Sequence, residues 1–157
     1  MNTINIICVD DQPEVLDSVM RDLRPLSPCV RVEDASGAED CLKLMDQIHN
    51  NGDYVALVIT DQVMPGSHGT DLLTEIRADK RFAHTRCVML TGQATHSDTL
   101  NAINECHVDN YLEKPWKSEK LLEIAKRLLT LYILDNGLDY RPIMGVLDPV
   151  TLFSKLR

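Results

Sequence analysis

Eight residues, VITDQVMP from Val58 to Pro65, constrain this chain more than any other stretch. The apolar half suits a buried strand, yet it ends abruptly on a carboxylate, Asp61, with Pro65 four positions later. An acid at the tip of so buried an element could cap a turn, bind a metal or act as a nucleophile. The stretch alone leaves all three open.

The surrounding sequence alternates strand-like and helix-like segments. INIICV (Ile4 to Val9) is a continuous apolar run, as expected for a strand covered on both faces. Asp11-Gln12-Pro13-Glu14 reads as a helix start, with Asp11 as N-cap, proline in the first turn and Glu14 closing a capping box. Val15, Leu16, Val19, Met20 and Leu23 give that helix an apolar face, and Pro25 and Pro28 end it. Val30 to Ala35 is shorter and more polar and suits a sheet edge. A helix over Ala38 to His49, a third strand over Val55 to Thr60 and a loop over Gln62 to His68 follow. Then come a helix over Gly69 to Ala78, a strand over Cys87 to Leu90, a helix over Ser97 to Cys106, a short strand over Asn110 to Leu112 and a long helix over Lys117 to Leu134. Five strand–helix units predict an α/β fold, a parallel sheet with helices on both faces.

Composition narrows the function. With 157 residues the chain suits one domain with a sizeable core. Its net charge of -8 argues against non-specific binding to nucleic acid or an anionic membrane. No apolar run approaches a membrane span or a signal peptide. The five cysteines are odd in number and include no CxxC pair, which fits unpaired thiols in a reducing cytoplasm. The five histidines stand at no metal-ligand spacing.

Ligands of open α/β sheets collect outside the carboxyl ends of the strands. Those ends carry Asp10-Asp11, Asp61, Thr91 and Lys114-Pro115. Singly, each has a plain explanation as a cap, a turn former, a local hydrogen-bonder or a solvated charge. The predicted sheet brings them to one edge. Two carboxylates about 5 Å apart repel by ~3 kcal/mol at an effective dielectric near 20, so such a cluster must hold protons or a cation. Hard oxygens without His or Cys suit Mg²⁺, and Lys114 and Thr91 suit a phosphoryl group.

The ordered set of Asp10-Asp11, DQVMPGSHG (Asp61 to Gly69), Thr91 and YLEKP (Tyr111 to Pro115) resembles the receiver domains of two-component response regulators over about Ile4 to Leu134. The resemblance implies a flavodoxin-like, doubly wound sheet of five parallel strands in the order 2-1-3-4-5. It implies that Asp61 takes a phosphoryl group from a phosphohistidine on a sensor histidine kinase or phosphotransfer protein. Mg²⁺, for which Mn²⁺ can substitute, would be held by Asp10, Asp11, Asp61 and the backbone carbonyl of Val63. Lys114 and Thr91 would contact the phosphoryl oxygens, Thr91 and Tyr111 would form the switch, and Lys114-Pro115 would be a cis peptide. Such a chain is a regulatory phosphoacceptor rather than an enzyme with a separate substrate. Its output would pass to an effector protein or an attached output domain.

Two positions depart from the usual pattern. Val63 is apolar where many relatives carry a polar residue able to steer a hydrolytic water, and Gly92 leaves the site beside Thr91 open. The receiver unit is expected over residues 1–134 and an extension over 135–157, too short for a DNA-binding or catalytic output domain. In the extension, Asp148-Pro149 reads as a helix start, with Leu152, Phe153 and Leu156 as an apolar patch near 149–156. LLTLYIL (Leu128 to Leu134) exceeds one buried stripe. Either the tail folds back over it, or the same patch carries a homodimer or partner contact.

Two other functions compete. A haloacid-dehalogenase-type phosphatase needs an Asp-x-Asp pattern after the first strand, where this chain has adjacent acids. A phosphorylation-independent pseudo-receiver would usually have lost the acid pair, the central Asp or the Lys, and all are present.

Overall fold

The computed structural model describes residues 2–92 and 97–156. Five parallel strands form the main sheet: β1 (Ile4–Val9), β2 (Arg31–Ala35), β3 (Tyr54–Asp61), β6 (Arg86–Thr91) and β7 (Asn110–Glu113). They lie in the order β2-β1-β3-β6-β7, which is 2-1-3-4-5 when the main strands alone are counted. Between β3 and β6 the chain adds a two-stranded antiparallel hairpin, β4 (Val63–Met64) and β5 (Ser67–His68). The helices are α1 (Pro13–Asp22), α2 (Ala38–Asn50), α3 (Gly69–Ala78), α4 (Ser97–Glu105), α5 (Ser118–Asp135) and α6 (Pro149–Lys155).

Apolar runs in β1, β3 and β6 are needed because both faces of these strands are covered. Ile6, Cys8, Ile59, Val88 and Leu90 pack with residues of α1 and α5 in one core. Ile7, Val9, Val58, Cys87 and Met89 pack with residues of α2 and α3 in the other. Successive side chains of a strand point to opposite faces, so one continuous run supplies both cores. Among the described residues β2, the polar strand, pairs with β1 alone and forms an edge. Among the described residues the cysteines form no disulfide. Burial pushes the Cys41 and Cys87 thiols up to about 12, so they remain neutral apolar fillers.

Two local expectations change. The N-cap of α1 is Gln12, not Asp11, and Gln12 makes no side-chain cap bond. A residue before proline is steered into extended backbone, and Gln12 has φ -100 and ψ 112. The helix therefore begins at Pro13, which leaves Asp11 outside capping register and undoes the predicted box with Glu14. The stretch read as a loop over Gln62 to His68 contains the β4–β5 ladder, in which Val63 pairs with His68 and Met64 with Ser67. Pro65-Gly66 makes its turn, with Gly66 at φ +80.

An ion-pair group ties the opposite end of the sheet. Asp109 accepts from Arg77 at 2.8 Å, from Arg86 at 3.2 Å and from the Cys87 N–H at 2.8 Å, and Arg86 also pairs with Asp135.

The segment after α5 folds back over it. Gly137, at φ +64, follows the C-cap of α5. Ile143, Val146 and Leu147 join the α1–α5 core, and Leu152 of α6 is buried. Thr130 of α5 is buried; its hydroxyl donates to the Lys126 carbonyl at 2.7 Å and accepts from the Asp148 N–H at 2.9 Å. The Asp148 carboxylate in turn caps α6, accepting from the Thr151 N–H at 3.2 Å and from its hydroxyl. Asp148→Ala is expected to lower stability by about 1 kcal/mol, as loss of a helix N-cap does. Urea unfolding of the full chain checks this, and an unchanged midpoint contradicts it.

Candidate phosphoryl and metal site

Parallel pairing aligns the strand ends that the sequence pointed to. Val9 pairs with Thr60, so Asp10 and Asp61 leave adjacent strands side by side. Asp61 pairs with Leu90, and Thr91, the next residue of β6, pairs with Glu113. Lys114 follows Glu113, and its N–H donates to the Thr91 carbonyl at 2.9 Å. The sheet thus brings Asp10, Asp61, Thr91 and Lys114 together at one edge.

Carboxylate oxygens of Asp10, Asp11 and Asp61 lie within 4.8 Å of one another. Asp10 and Asp61 are buried, at 3% and 8% exposure, and Asp11 is exposed. Lys114 Nζ sits between the two buried acids, 3.0 Å from Asp10 Oδ2 and 3.3 Å from Asp61 Oδ1. The other Asp10 oxygen accepts from the Gln12 N–H at 2.9 Å, and Asp61 Oδ1 accepts from the Gln62 N–H at 2.8 Å.

Three carboxylates against one ammonium leave the cluster with a formal charge of -2 when all are ionised. A compact all-oxygen set with two units of excess charge and one solvent-facing ligand fits a hard divalent cation that keeps several waters. Burial raises the Asp61 carboxyl above its ordinary value; Lys114 opposes that rise and the charge of Asp10 adds to it.

The remaining predicted residues differ in exposure. Thr91 is buried, whereas Tyr111 on β7 is 43% exposed. Val63, two positions beyond Asp61 in β4, is 51% exposed. Among the described residues, a Cβ on Gly92 would meet no atom within 4 Å. Lys114-Pro115 is cis, as is Ser27-Pro28, for which the sequence carried no expectation.

Two supporting residues had no assigned role in the sequence reading. Gln62 is buried and bonded to Thr70, and a Cβ on Gly69 would lie 2.1 Å from the Asp61 carbonyl oxygen. Glycine at position 69 is required by that approach of α3 to the acid's own backbone. The available signal was a glycine opening a helix, where Ser, Thr, Asp or Asn would be favoured just before it.

The model of the response regulator receiver domain family matches residues 6–126. Chemotaxis protein CheY-3 of Vibrio cholerae is 33% identical over 129 residues, covering 80% of this chain and 94% of that protein. The hydrogenase transcriptional regulatory protein HoxA of Bradyrhizobium diazoefficiens is 26% identical over 150 residues, covering 92% of this chain. The chain spans only 29% of that protein's length. Among solved structures, the receiver domain of an HD domain-containing protein from Pseudomonas fluorescens Pf-5 matches with a TM-score of 0.73 and 27% identity. That match covers 87% of this chain and 94% of the other.

The raised carboxyl has a consequence for stability. A group that holds its proton more tightly folded than unfolded makes stability fall as pH rises from the ordinary Asp value, about 3.9, through the raised folded value. In metal-free buffer, Asp61→Asn is therefore expected to raise the melting temperature at neutral pH. The gain should vanish below about pH 3.5, where both forms are neutral. Thermal melts with a chelator present test this, and a variant that melts below the parent at neutral pH contradicts it.

Proposed function

Because the chain belongs to the response regulator receiver domain family, we propose that it is a phosphoacceptor whose acceptor is Asp61. The observation that carries this reading is the contact of Lys114 Nζ with the carboxylates of Asp10 and Asp61, beside the exposed Asp11. Asp61 Oδ would attack the phosphorus of a phosphohistidine on a sensor kinase or phosphotransfer protein. As the O–P bond forms the P–N bond breaks, and the released imidazole takes up a proton. Lys114 is placed to pair with a phosphoryl oxygen, and Thr91 is the hydroxyl for another.

Asp10, Asp11, Asp61 and the Val63 carbonyl would hold Mg²⁺ or Mn²⁺, which when bound neutralises charge on the transferring group. The chain's own part is to fix the acceptor. The Gln62 N–H holds Asp61 Oδ1, and burial removes competing water from it.

Phosphorylation would draw Thr91 and Lys114 toward the new charge. Tyr111, exposed on the edge strand β7, would then turn inward and alter the surface read by an effector protein or an attached output domain. We take residues 1–134 as the receiver unit and 135–157 as its extension. Regulation rather than turnover of a separate substrate is the role this assigns, in the compartment of the kinase, the cytoplasm. Among the described residues, no helix is long and apolar enough to cross a membrane.

Incubation with acetyl phosphate and Mg²⁺ is expected to give a single phosphoryl adduct by intact mass, absent from Asp61→Asn and from samples with chelator. An adduct that survives the Asp61 change, or none at all, overturns the reading and leaves a phosphorylation-independent interaction module. Val63→Asn, which places a polar group beside the acceptor, is expected to shorten the phosphoryl lifetime several-fold. A decay curve that superimposes on the parent's removes any role for this position in hydrolysis.

A further inference from the structure

The chain from Asp61 to α3 is tied at both ends through one residue, Gln62. Its side chain is buried, with Oε1 accepting from the Thr70 N–H at 2.9 Å and Nε2 donating to Thr70 Oγ1 at 3.3 Å. Thr70 is the second residue of α3, and the first N–H groups of a helix have no partner within it. An N-cap side chain ordinarily serves such a group. Here the N–H of Thr70 goes to Gln62, eight positions back.

The main chain of Gln62 faces the other way. Its N–H donates to Asp61 Oδ1 at 2.8 Å, and its carbonyl accepts from the Gly69 N–H at 2.8 Å. Four hydrogen bonds thus converge on one residue, one to the acid and three to the start of α3. Val63 lies between these anchors, in the ladder that pairs it with His68. A buried amide lying between a helix start and a carboxylate can transmit the position of one to the other.

We propose that Gln62 is a positioning residue for the acidic site. By capping α3 through Thr70, it holds Asp61 Oδ1 and the Val63 main chain in the arrangement that takes a divalent cation. The inference rests on the metal-binding reading above. Partners that hold ligands in place commonly carry about tenfold or more of a site's metal affinity.

The test measures Mn²⁺ affinity of the full chain by the spin-resonance signal of the free ion. It compares the parent, Gln62→Met, Thr70→Val and their combination, with circular dichroism as the fold control. Gln62→Met keeps the length of the side chain and removes both amide bonds. It is expected to weaken Mn²⁺ binding about tenfold. The Mg²⁺ needed for half-maximal adduct formation from acetyl phosphate should rise by the same factor, and the rate at saturating Mg²⁺ should fall less. Thr70→Val removes only the hydroxyl partner and should cost about twofold. The combination should be no weaker than Gln62→Met alone, because the two groups act through one contact.

Parent-like Mn²⁺ affinity in a folded Gln62→Met overturns the proposal. If that variant loses its helical signal, Thr70→Val decides alone, and an unchanged affinity there overturns it. A parent that binds no Mn²⁺ defeats the metal reading and the inference with it. A parent that binds Mn²⁺ no more tightly than a folded Gln62→Met defeats the inference alone.

Discussion

The ammonium of Lys114 is the contact on which the rest of the molecule depends. It lies 3.0 Å from one buried carboxylate and 3.3 Å from another, while a third acid stands at the rim. Without it, two like charges would be held together where water cannot screen them. Each partner arrives on a different strand, so the contact exists only when β1, β3 and β7 are in register. The fold and the site are therefore one requirement. The apolar runs of β1 and β3 bury the acids, the acids need the lysine, and the lysine is delivered by the edge strand.

That dependence explains where the molecule keeps its rigid parts. The strands beneath the site are packed from both faces, and Asp61 is further fixed by Gln62 and by the approach of Gly69 to its carbonyl. Asp11, clustered with this fixed acid, is exposed, as are Val63 and Tyr111. The cluster therefore sets a fixed, buried carboxylate beside one that is open to solvent.

Much of this was legible in the sequence. Apolar runs without alternation announced strands covered on both faces, the polar β2 announced an edge, and the acids and lysine were read from strand ends. What escaped were decisions between competing local rules and contacts between distant residues. At Asp11 the capping preference lost to the extended backbone that Pro13 imposes on Gln12. The β4–β5 ladder is two residues per strand, too short to show a period. Gln62 is one polar residue after an acid, and its partner Thr70 is eight positions away with no pattern linking them. Asp109 gathers Arg77 and Arg86 from elements that only the folded sheet brings near. In the tail, the apolar excess of α5 signalled a cover. A helix as short as α6 has one inward face, so Leu152 is buried while its neighbour Phe153 is not, and Leu156 lies beyond the helix end at the C-cap.

The tail also changes what the surface of α5 means. Thr130, facing outward from the sheet, is sealed by Asp148 and its neighbours rather than by another chain. On the tail Met144, Val150 and Phe153 are exposed, and Lys126 of the helix lines a cleft with Met144 and Phe153. The part of α5 around Thr130 is thus covered by the chain's own tail, while Glu119, Lys120, Glu123 and Arg127 keep the rest of the helix open to partners.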